Sequence, residues 1–162
     1  MTVMGVRGSI PDLDGFLASV SALEKRHGIT IQLLRADRIF GAEHLVSATE
    51  KAERAFAGKT NMSRTLGMEI LLYAAAERQT GEALRKLGIS DGIEEIALVL
   101  VGDVEPGKIL EELALERDDS VLEPDCKDFS IFNITEADIE MFGVQGIPEL
   151  VLEKVALSEV ER

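Results

Sequence analysis

The sequence is poor in the residues that usually build self-contained reactive sites. It has one cysteine, Cys126, two histidines and no tryptophan among its 162 residues. A single cysteine excludes both an intrachain disulfide and a cysteine-based metal site. One tyrosine and six phenylalanines offer little aromatic surface on which bases could stack, so nucleic-acid binding would depend on other contacts.

Long apolar runs and targeting signals are absent as well. No run reaches the roughly 18 apolar residues that a membrane-spanning helix needs, and the opening MTVMGVRGS does not resemble a signal peptide. We therefore expect a cytoplasmic protein. With 46% hydrophobic residues, the length suits one domain over residues 1–162.

Basic residues are the scarcer charge. Lys and Arg number 17 against 30 Asp and Glu, which gives a net charge of −13. The deficit of basic residues is confined to the C-terminal part of the chain. Residues 1–91 carry 12 basic and 11 acidic residues, whereas residues 92–162 carry 5 basic and 19 acidic residues. Charges act over about 8–10 Å in physiological salt, so the whole-chain charge does not exclude a basic surface on the first part of the chain.

Hydrophobic patterns predict an α/β (α+β) domain in which a mostly antiparallel mixed sheet is flanked by helices. The continuous apolar run EIALVLVG at 95–102 is the strongest strand and indicates burial on both faces. Helix 63–77 is apolar on most sides and should be buried. The predicted strands are 3–10, 29–36 and 95–102. The predicted helices are 11–26, 41–56, 63–77, 80–87, 106–116, 135–143 with Thr135 as N-cap, and a last helix that begins at Pro148. Residues 120–133 are expected to be irregular or to form a short strand.

Residues Gly102–Lys108 match the G-x-x-x-x-G-K spacing of a phosphate-binding loop, but the chemistry does not fit. Ile109 stands where that loop needs a Ser or Thr hydroxyl for magnesium. Pro106 removes a backbone N–H, and Asp103 and Glu105 would place two carboxylates beside the anion. We interpret the stretch as the end of a strand followed by a helix that begins at the proline.

No other catalytic or metal motif is complete. The sequence has no nucleophile elbow and no paired-histidine metal pattern. We interpret His44 as a packing or surface residue of its helix and His27 as a residue that caps a helix end. The acidic residues between positions 111 and 119 lack the ligand spacing of a calcium loop and indicate a solvated face. We therefore predict no catalytic residues, no metal and no cofactor.

A family resemblance becomes specific at residues 42–89. The stretches AEHLVSATEKAERAF and MEILLYAAAERQTGEALRKLGI, with Asn61 between them, resemble the small subunit of the KEOPS complex, the PRPK-binding-protein (TPRKB-like) family. That family shows an Ala-rich helix that opens with His-Leu, a Glu-Ile-Leu-Leu helix, a Gly-x-Arg-Gln-Ile turn and a Lys-x-Gly-Ile end. KVALSEV at 154–160 resembles its closing helix. Ala76 and Thr80 depart from the pattern, since the family usually has Gly and Ile there.

The resemblance implies a non-catalytic subunit with two partners. KEOPS makes the threonylcarbamoyl modification on the adenosine beside the anticodon of tRNA. In this family the small subunit binds the kinase-like ATPase subunit of the complex and holds the 3′ CCA end of tRNA. The resemblance therefore implies protein kinase binding and RNA binding in tRNA modification.

Residues that could serve such an RNA site lie in the first part of the chain. A single-stranded CCA end requires cations along its phosphates and a pocket for unstacked bases. Amide side chains carry both the donors and the acceptors that read base edges. The candidate tRNA-binding residues are Lys51, Lys59, Asn61, Arg64, Arg78, Gln79, Arg85 and Lys86, and Arg54 is a further cation on the same helix as Lys51.

The contact with the kinase-like subunit is expected on the last helix, because its apolar residues cannot all face one side. One subset would pack inward while another docks on a partner helix or groove. The acidic C-terminal part would complement a basic partner surface. The candidate kinase-binding residues are Leu150, Val151, Lys154, Val155 and Leu157.

Two other interpretations stay open from sequence. One is a small enzyme acting on an acidic or nucleotide substrate, with His44 and Glu69 as the acid and base. The other is an adaptor that contacts protein only. The sequence also leaves open whether the isolated chain forms a homo-oligomer.

Overall fold

The sheet has four strands in the order β2-β3-β1-β4, and the strand pairs are antiparallel throughout the described part. The computed structural model describes residues 1–125 and 127–161, so the expectation that Cys126 forms no disulfide lies outside them. The strands are β1 (Thr2–Arg7), β2 (Thr30–Arg35), β3 (Glu95–Val101) and β4 (Glu116–Arg117). The prediction of an α+β fold with a mostly antiparallel sheet is confirmed.

Helices cover both faces of this sheet. In the described residues they are α1 (Leu13–His27), α2 (Ala42–Ala57), α3 (Leu66–Ala75), α4 (Thr80–Leu87), α5 (Pro106–Leu113), α6 (Glu136–Phe142) and α7 (Ile147–Val160). Helices α1 and α5 share one hydrophobic cluster with the sheet, and α2, α3 and α4 share a second cluster with its other face. Helix α7 packs on α2 and α3. No helix in the described ranges is both long and apolar enough to cross a membrane.

Strand β3 is buried on both faces, as its continuous apolar run predicts. Ile96, Leu98 and Leu100 pack into the cluster of α1 and α5. Ala97 and Val99 pack into the cluster of α2, α3 and α4. Successive side chains of a strand point to opposite faces. Since both faces of β3 are covered by helices, every position favours an apolar residue, and the segment shows no alternation of polar and apolar residues.

Helix α3 is the buried helix that the sequence predicts. Eight of its ten residues are buried, and each buried Leu or Ile contributes about 1.5–3 kcal/mol. It is shorter than predicted at both ends. The Thr65 side chain caps the first turn by accepting a hydrogen bond from the Met68 N–H at 3.2 Å, and Ala76 ends the helix in a left-handed conformation at φ +53°.

The stretch after α5 differs from the prediction. Helix 106–116 ends at Leu113, because Ala114 takes a left-handed conformation at φ +54°. The chain is then free to pair as β4 with β1, a strand that was not predicted. The described residues between 119 and 132 contain short 3₁₀ turns rather than the alternative short strand. The solvated-face interpretation is incomplete here, since the Asp119 carboxylate accepts a hydrogen bond from the Gly5 N–H at 3.0 Å.

Two predicted helix ends have different outcomes. Thr135 caps α6 as predicted and forms a reciprocal capping box with Asp138. The prediction that His27 caps α1 is wrong, because Gly28 is the capping residue. Its φ of +62° suits a glycine, and its N–H donates to the Glu24 carbonyl.

His44 of α2 is bonded to α3 inside the core. Its imidazole is fully buried, and its Nε2 lies 2.8 Å from the carbonyl oxygen of Ala74. The Phe40 N–H donates to Nδ1 at 3.2 Å, so Nε2 must carry the proton and donate to Ala74. Burial lowers the pKa of His44 to about 4.

Mild acid should destabilise the fold through His44. The unfolded imidazole has a pKa near 6.5, so the unfolded chain binds the proton more tightly and stability is lost as pH falls from 6.5 towards 4. We expect the free energy of unfolding to fall by about 2 kcal/mol between pH 7.5 and pH 5, measured by urea denaturation. His44→Gln should be less stable at pH 7.5 but should lose most of this pH dependence. An unchanged pH dependence in that variant would contradict the assignment.

Replacing Ala76 with glycine should stabilise the protein. A left-handed conformation costs an L-residue about 1–2 kcal/mol, and the greater freedom of glycine in the unfolded chain offsets part of the relief. We expect Ala76→Gly to raise the free energy of unfolding by about 0.5–1 kcal/mol. Ala156→Gly, at an exposed position inside α7, is the control and should lose about 1 kcal/mol. A comparable loss in both variants would refute the prediction.

Candidate functional site

The connection between α2 and α3 is held in place by a buried carboxylate. Glu69 in α3 accepts hydrogen bonds from the backbone N–H groups of Met62 and Ser63 at 3.1 and 2.9 Å, and from the Ser63 hydroxyl at 2.6 Å. The Asn61 amide donates to the Ser63 carbonyl at 2.9 Å. These bonds fix residues 58–65 as an ordered connection, from which the side chains of Lys59 and Arg64 are exposed.

The turn between α3 and α4 presents a second set of candidates. Arg78 and Gln79 are exposed in the turn that follows the left-handed residue at the end of α3. On α4, Lys86 forms an ion pair with Glu77. Arg85 is paired with Glu82 at 2.9 Å on the same helix.

The candidate tRNA-binding residues thus form two groups rather than one. Lys59, Asn61 and Arg64 precede α3, whereas Arg78 and Gln79 follow it. Ten helical residues span about 15 Å at 1.5 Å per residue, so a ligand that contacts both groups must bridge a distance of roughly this size.

Only part of the candidate set offers an unneutralised charge. Lys51 lies 4.0 Å from the Glu159 carboxylate and donates to the Ser47 hydroxyl, and Arg85 and Lys86 are paired as described above. Lys59, Arg64 and Arg78 have no acidic partner within 4.0 Å in the part of the chain that the structure describes. These three cations are therefore the ones free to attract phosphate.

A cleft of about 440 Å³ opens where α7 ends beside α2 and the connection to α3. The Glu159 carboxylate lies 3.2 Å from the Arg54 guanidinium at its rim. Its lining residues are Arg54, Ala55, Thr60, Met62, Tyr73 and Glu159. Neither Glu159 nor Tyr73 was predicted as a site residue, because only folding brings α7 next to α2 and no local motif marks that contact.

Helix α7 separates the candidate kinase-binding residues into a buried and an accessible set. Val151 and Val155 are fully buried, so in this fold they hold α7 on the core and cannot meet a partner. Leu157 is 46% exposed, and Leu150 and Lys154 are partly exposed. The prediction therefore narrows to these three residues, which follow one another at intervals of four and three and so share one side of the helix.

Two features border this accessible side of α7. A cleft of about 230 Å³ brings Lys154 and Leu157 next to Lys86 and Glu77 from the α3–α4 region. At the other end, a shallow groove lies beside Leu150. Phe142 lines that groove, and its neighbours Met141 and Val144 are further exposed apolar side chains. The sequence did not predict these residues as part of a surface, because α6 is short.

The buried polar residues His44 and Glu69 form hydrogen bonds that hold the fold together, which weakens the alternative that they are the acid and base of a small enzyme. Both ring nitrogens of His44 are engaged with backbone groups, and Glu69 holds backbone N–H groups of the α2–α3 connection. Both side chains are fully buried. Within residues 1–125 and 127–161, no group of three His, Cys, Asp or Glu side chains could hold a metal ion.

Comparison with known proteins supports the resemblance seen at residues 42–89 and 154–160. A relative described as Regulatory protein Cgi121, from Methanocaldococcus jannaschii, is 31% identical over 138 residues, which cover 83% of this chain and 87% of that protein. Residues 17–158 match the model of the family described as Kinase binding protein CGI-121. The matched residues include α2, α3 and α4, which carry or flank the candidate tRNA-binding residues. They also include most of α7, which carries the candidate kinase-binding residues. This chain therefore belongs to the CGI-121 family of kinase-binding proteins.

Proposed function

We propose that this chain is a non-catalytic, cytoplasmic subunit of the KEOPS complex for threonylcarbamoyladenosine modification of tRNA. In this proposal it binds the kinase-like ATPase subunit and the 3′ CCA end of tRNA. The observation that carries the proposal is membership of a kinase-binding family over residues 17–158. The structural roles of His44 and Glu69 support a binding protein over an enzyme.

The arrangement of charge supports the RNA part of the proposal. Lys59 and Arg64 lie before the buried helix α3, Arg78 lies after it, and none has an acidic partner within 4.0 Å among the described residues. Cations at both ends of a rigid helix suit an extended single strand, whose phosphates they attract while its bases remain accessible. Gln79 is exposed beside Arg78 and can read base edges. The amide nitrogen of Asn61 donates to the Ser63 carbonyl, so Asn61 would meet a base through its carbonyl oxygen.

Helix α7 supports the kinase part. Its buried side anchors it to α2 and α3, so Leu150, Lys154 and Leu157 are presented on a rigid element. A helix held in this way can dock on a partner helix or groove without a large ordering cost. Helix α7 itself carries three glutamates and one lysine, which favours a partner with a basic surface.

Charge reversal at both ends of α3 should weaken RNA binding. We expect the double variant Arg64→Glu, Arg78→Glu to bind full-length tRNA at least about tenfold more weakly near 0.1 M salt. The slope of log K against log salt should shrink by about 0.7 for each lost phosphate contact. Fluorescence anisotropy across a salt series measures both quantities. If both substitutions leave the affinity unchanged, the proposed RNA site is wrong.

Two controls make that measurement specific. Arg26→Glu reverses an exposed charge on α1, on the opposite face of the sheet, and should leave tRNA affinity nearly unchanged. Removal of CCA from the tRNA should weaken binding to the unaltered protein. Binding of the ATPase subunit without any tRNA binding would instead support the protein-only adaptor.

Introducing a charge on the accessible side of α7 should weaken the complex with the kinase-like subunit. Burying Asp in place of Leu157 would desolvate a carboxylate in an apolar contact, so we expect Leu157→Asp to raise the Kd at least about tenfold. Leu17→Asp is the matched control, because Leu17 is 43% exposed on α1. Isothermal titration calorimetry with the purified ATPase subunit measures both. Equal affinities of the two variants would exclude this surface.

A further inference from the structure

The cleft at the end of α7 contains an acidic group in a place that suits an anion. The Glu159 carboxylate lies 3.2 Å from the Arg54 guanidinium and 4.0 Å from the Lys51 ammonium. Two cations that converge in this way would otherwise attract a phosphate group. Glu159 occupies that position and neutralises much of their charge.

The remaining walls of the cleft suit a nucleoside. Met62, 49% exposed, provides apolar surface, and Ala55 and Tyr73 form a buried floor. The Thr60 hydroxyl, which donates to the Ala55 carbonyl at 3.4 Å, provides an oxygen that can accept a hydrogen bond. The volume of about 440 Å³ falls within the range of about 300–1,000 Å³ that is typical of small-molecule pockets. Thr60 and Met62 belong to the same α2–α3 connection as Lys59 and Arg64, so a strand bound by those cations can place its end in this cleft.

We propose that Glu159 makes this cleft selective for a 3′-terminal nucleoside with free hydroxyl groups and against a 3′-terminal phosphate. This inference rests on the proposed RNA binding and adds the chemistry of the terminus that is accepted. An acidic side chain accepts hydrogen bonds from ribose hydroxyls, as in dinucleotide-binding folds. A terminal phosphate would meet a like charge and two cations that are already paired.

The ion pair leaves Glu159 able to exchange partners. The side chains of Arg54 and Glu159 are 58% and 38% exposed, and ion pairs at such exposure contribute little stability. A ribose hydroxyl can therefore bind the carboxylate while Arg54 remains beside it. The fold does not depend on this contact, so Glu159 can be replaced without disturbing the helix on which it stands.

The test compares two forms of one tRNA, one ending in a 3′ hydroxyl and one in a 3′ phosphate. We expect the unaltered protein to bind the hydroxyl form about tenfold more tightly. Glu159→Gln keeps a hydrogen-bond acceptor but removes the charge, so the preference should fall to about threefold or less, through tighter binding of the phosphate form. Glu161→Gln removes an exposed charge two residues further on and should keep the full preference.

The outcomes separate this inference from the proposed function. An undiminished preference in Glu159→Gln, or an equal gain for both RNA forms, would overturn the assignment of Glu159. Equal binding of both forms by the unaltered protein would overturn the selectivity while leaving tRNA binding intact. Failure of the unaltered protein to bind either form would overturn the proposed RNA binding itself.

Discussion

The burial of α3 is the constraint on which both candidate surfaces depend. Its apolar sides place it between α2, α4, α7 and the sheet, and a buried polar side chain fixes the backbone near each end. Glu69 binds backbone N–H groups of the connection before the helix, and His44 binds the Ala74 carbonyl near its end. Unpaired polar groups inside a protein cost about 1–3 kcal/mol each, so these contacts permit little variation in the position of α3. The exposed cations at its two ends are consequently mounted on a rigid body.

The sequence predicts the parts of the fold that depend on local composition. Strand β3 and helix α3 were predictable because each is apolar on nearly all sides, and α6 because Thr135 is an N-cap residue. Strand β4 was not, since its two exposed residues carry no pattern and only the left-handed Ala114 releases them to pair with β1. The cations of the candidate RNA site could be named from sequence, but their separation into two groups follows from the length of α3 and from where its caps lie.

The role of α7 shows why contacts distant in sequence escape such reasoning. Val151 and Val155 are apolar residues of the kind that a docking surface would also contain, so the sequence does not show whether they are buried. The packing of α7 on α2 and α3 places them in the core. The cluster of Phe40, Phe132, Ile134, Ile147 and Val151 then fixes the start of this helix beside α2. With that end anchored, Glu159 from the acidic part of the chain meets Arg54 and Lys51 from the near-neutral part. The acidic and near-neutral parts of the sequence are therefore in direct contact through these ion pairs in the folded chain.

Two sequence features suggested specific chemistry: a spacing like that of a phosphate-binding loop, and a histidine and a glutamate that could act as acid and base. The structure argues against each of them for a different reason. The spacing Gly102–Lys108 resembles a phosphate loop, yet β3 ends at Val101 and α5 begins at Pro106, so a proline without an N–H stands where the loop would donate to phosphate. His44 and Glu69 are the kind of residues that act as acid and base, but their polar atoms are committed to backbone groups inside the core. A general acid or base must reach a substrate proton, and a side chain whose bonds hold two helices in register cannot leave them without loosening the fold. The exposed cations around α3, by contrast, are placed to attract an anionic ligand.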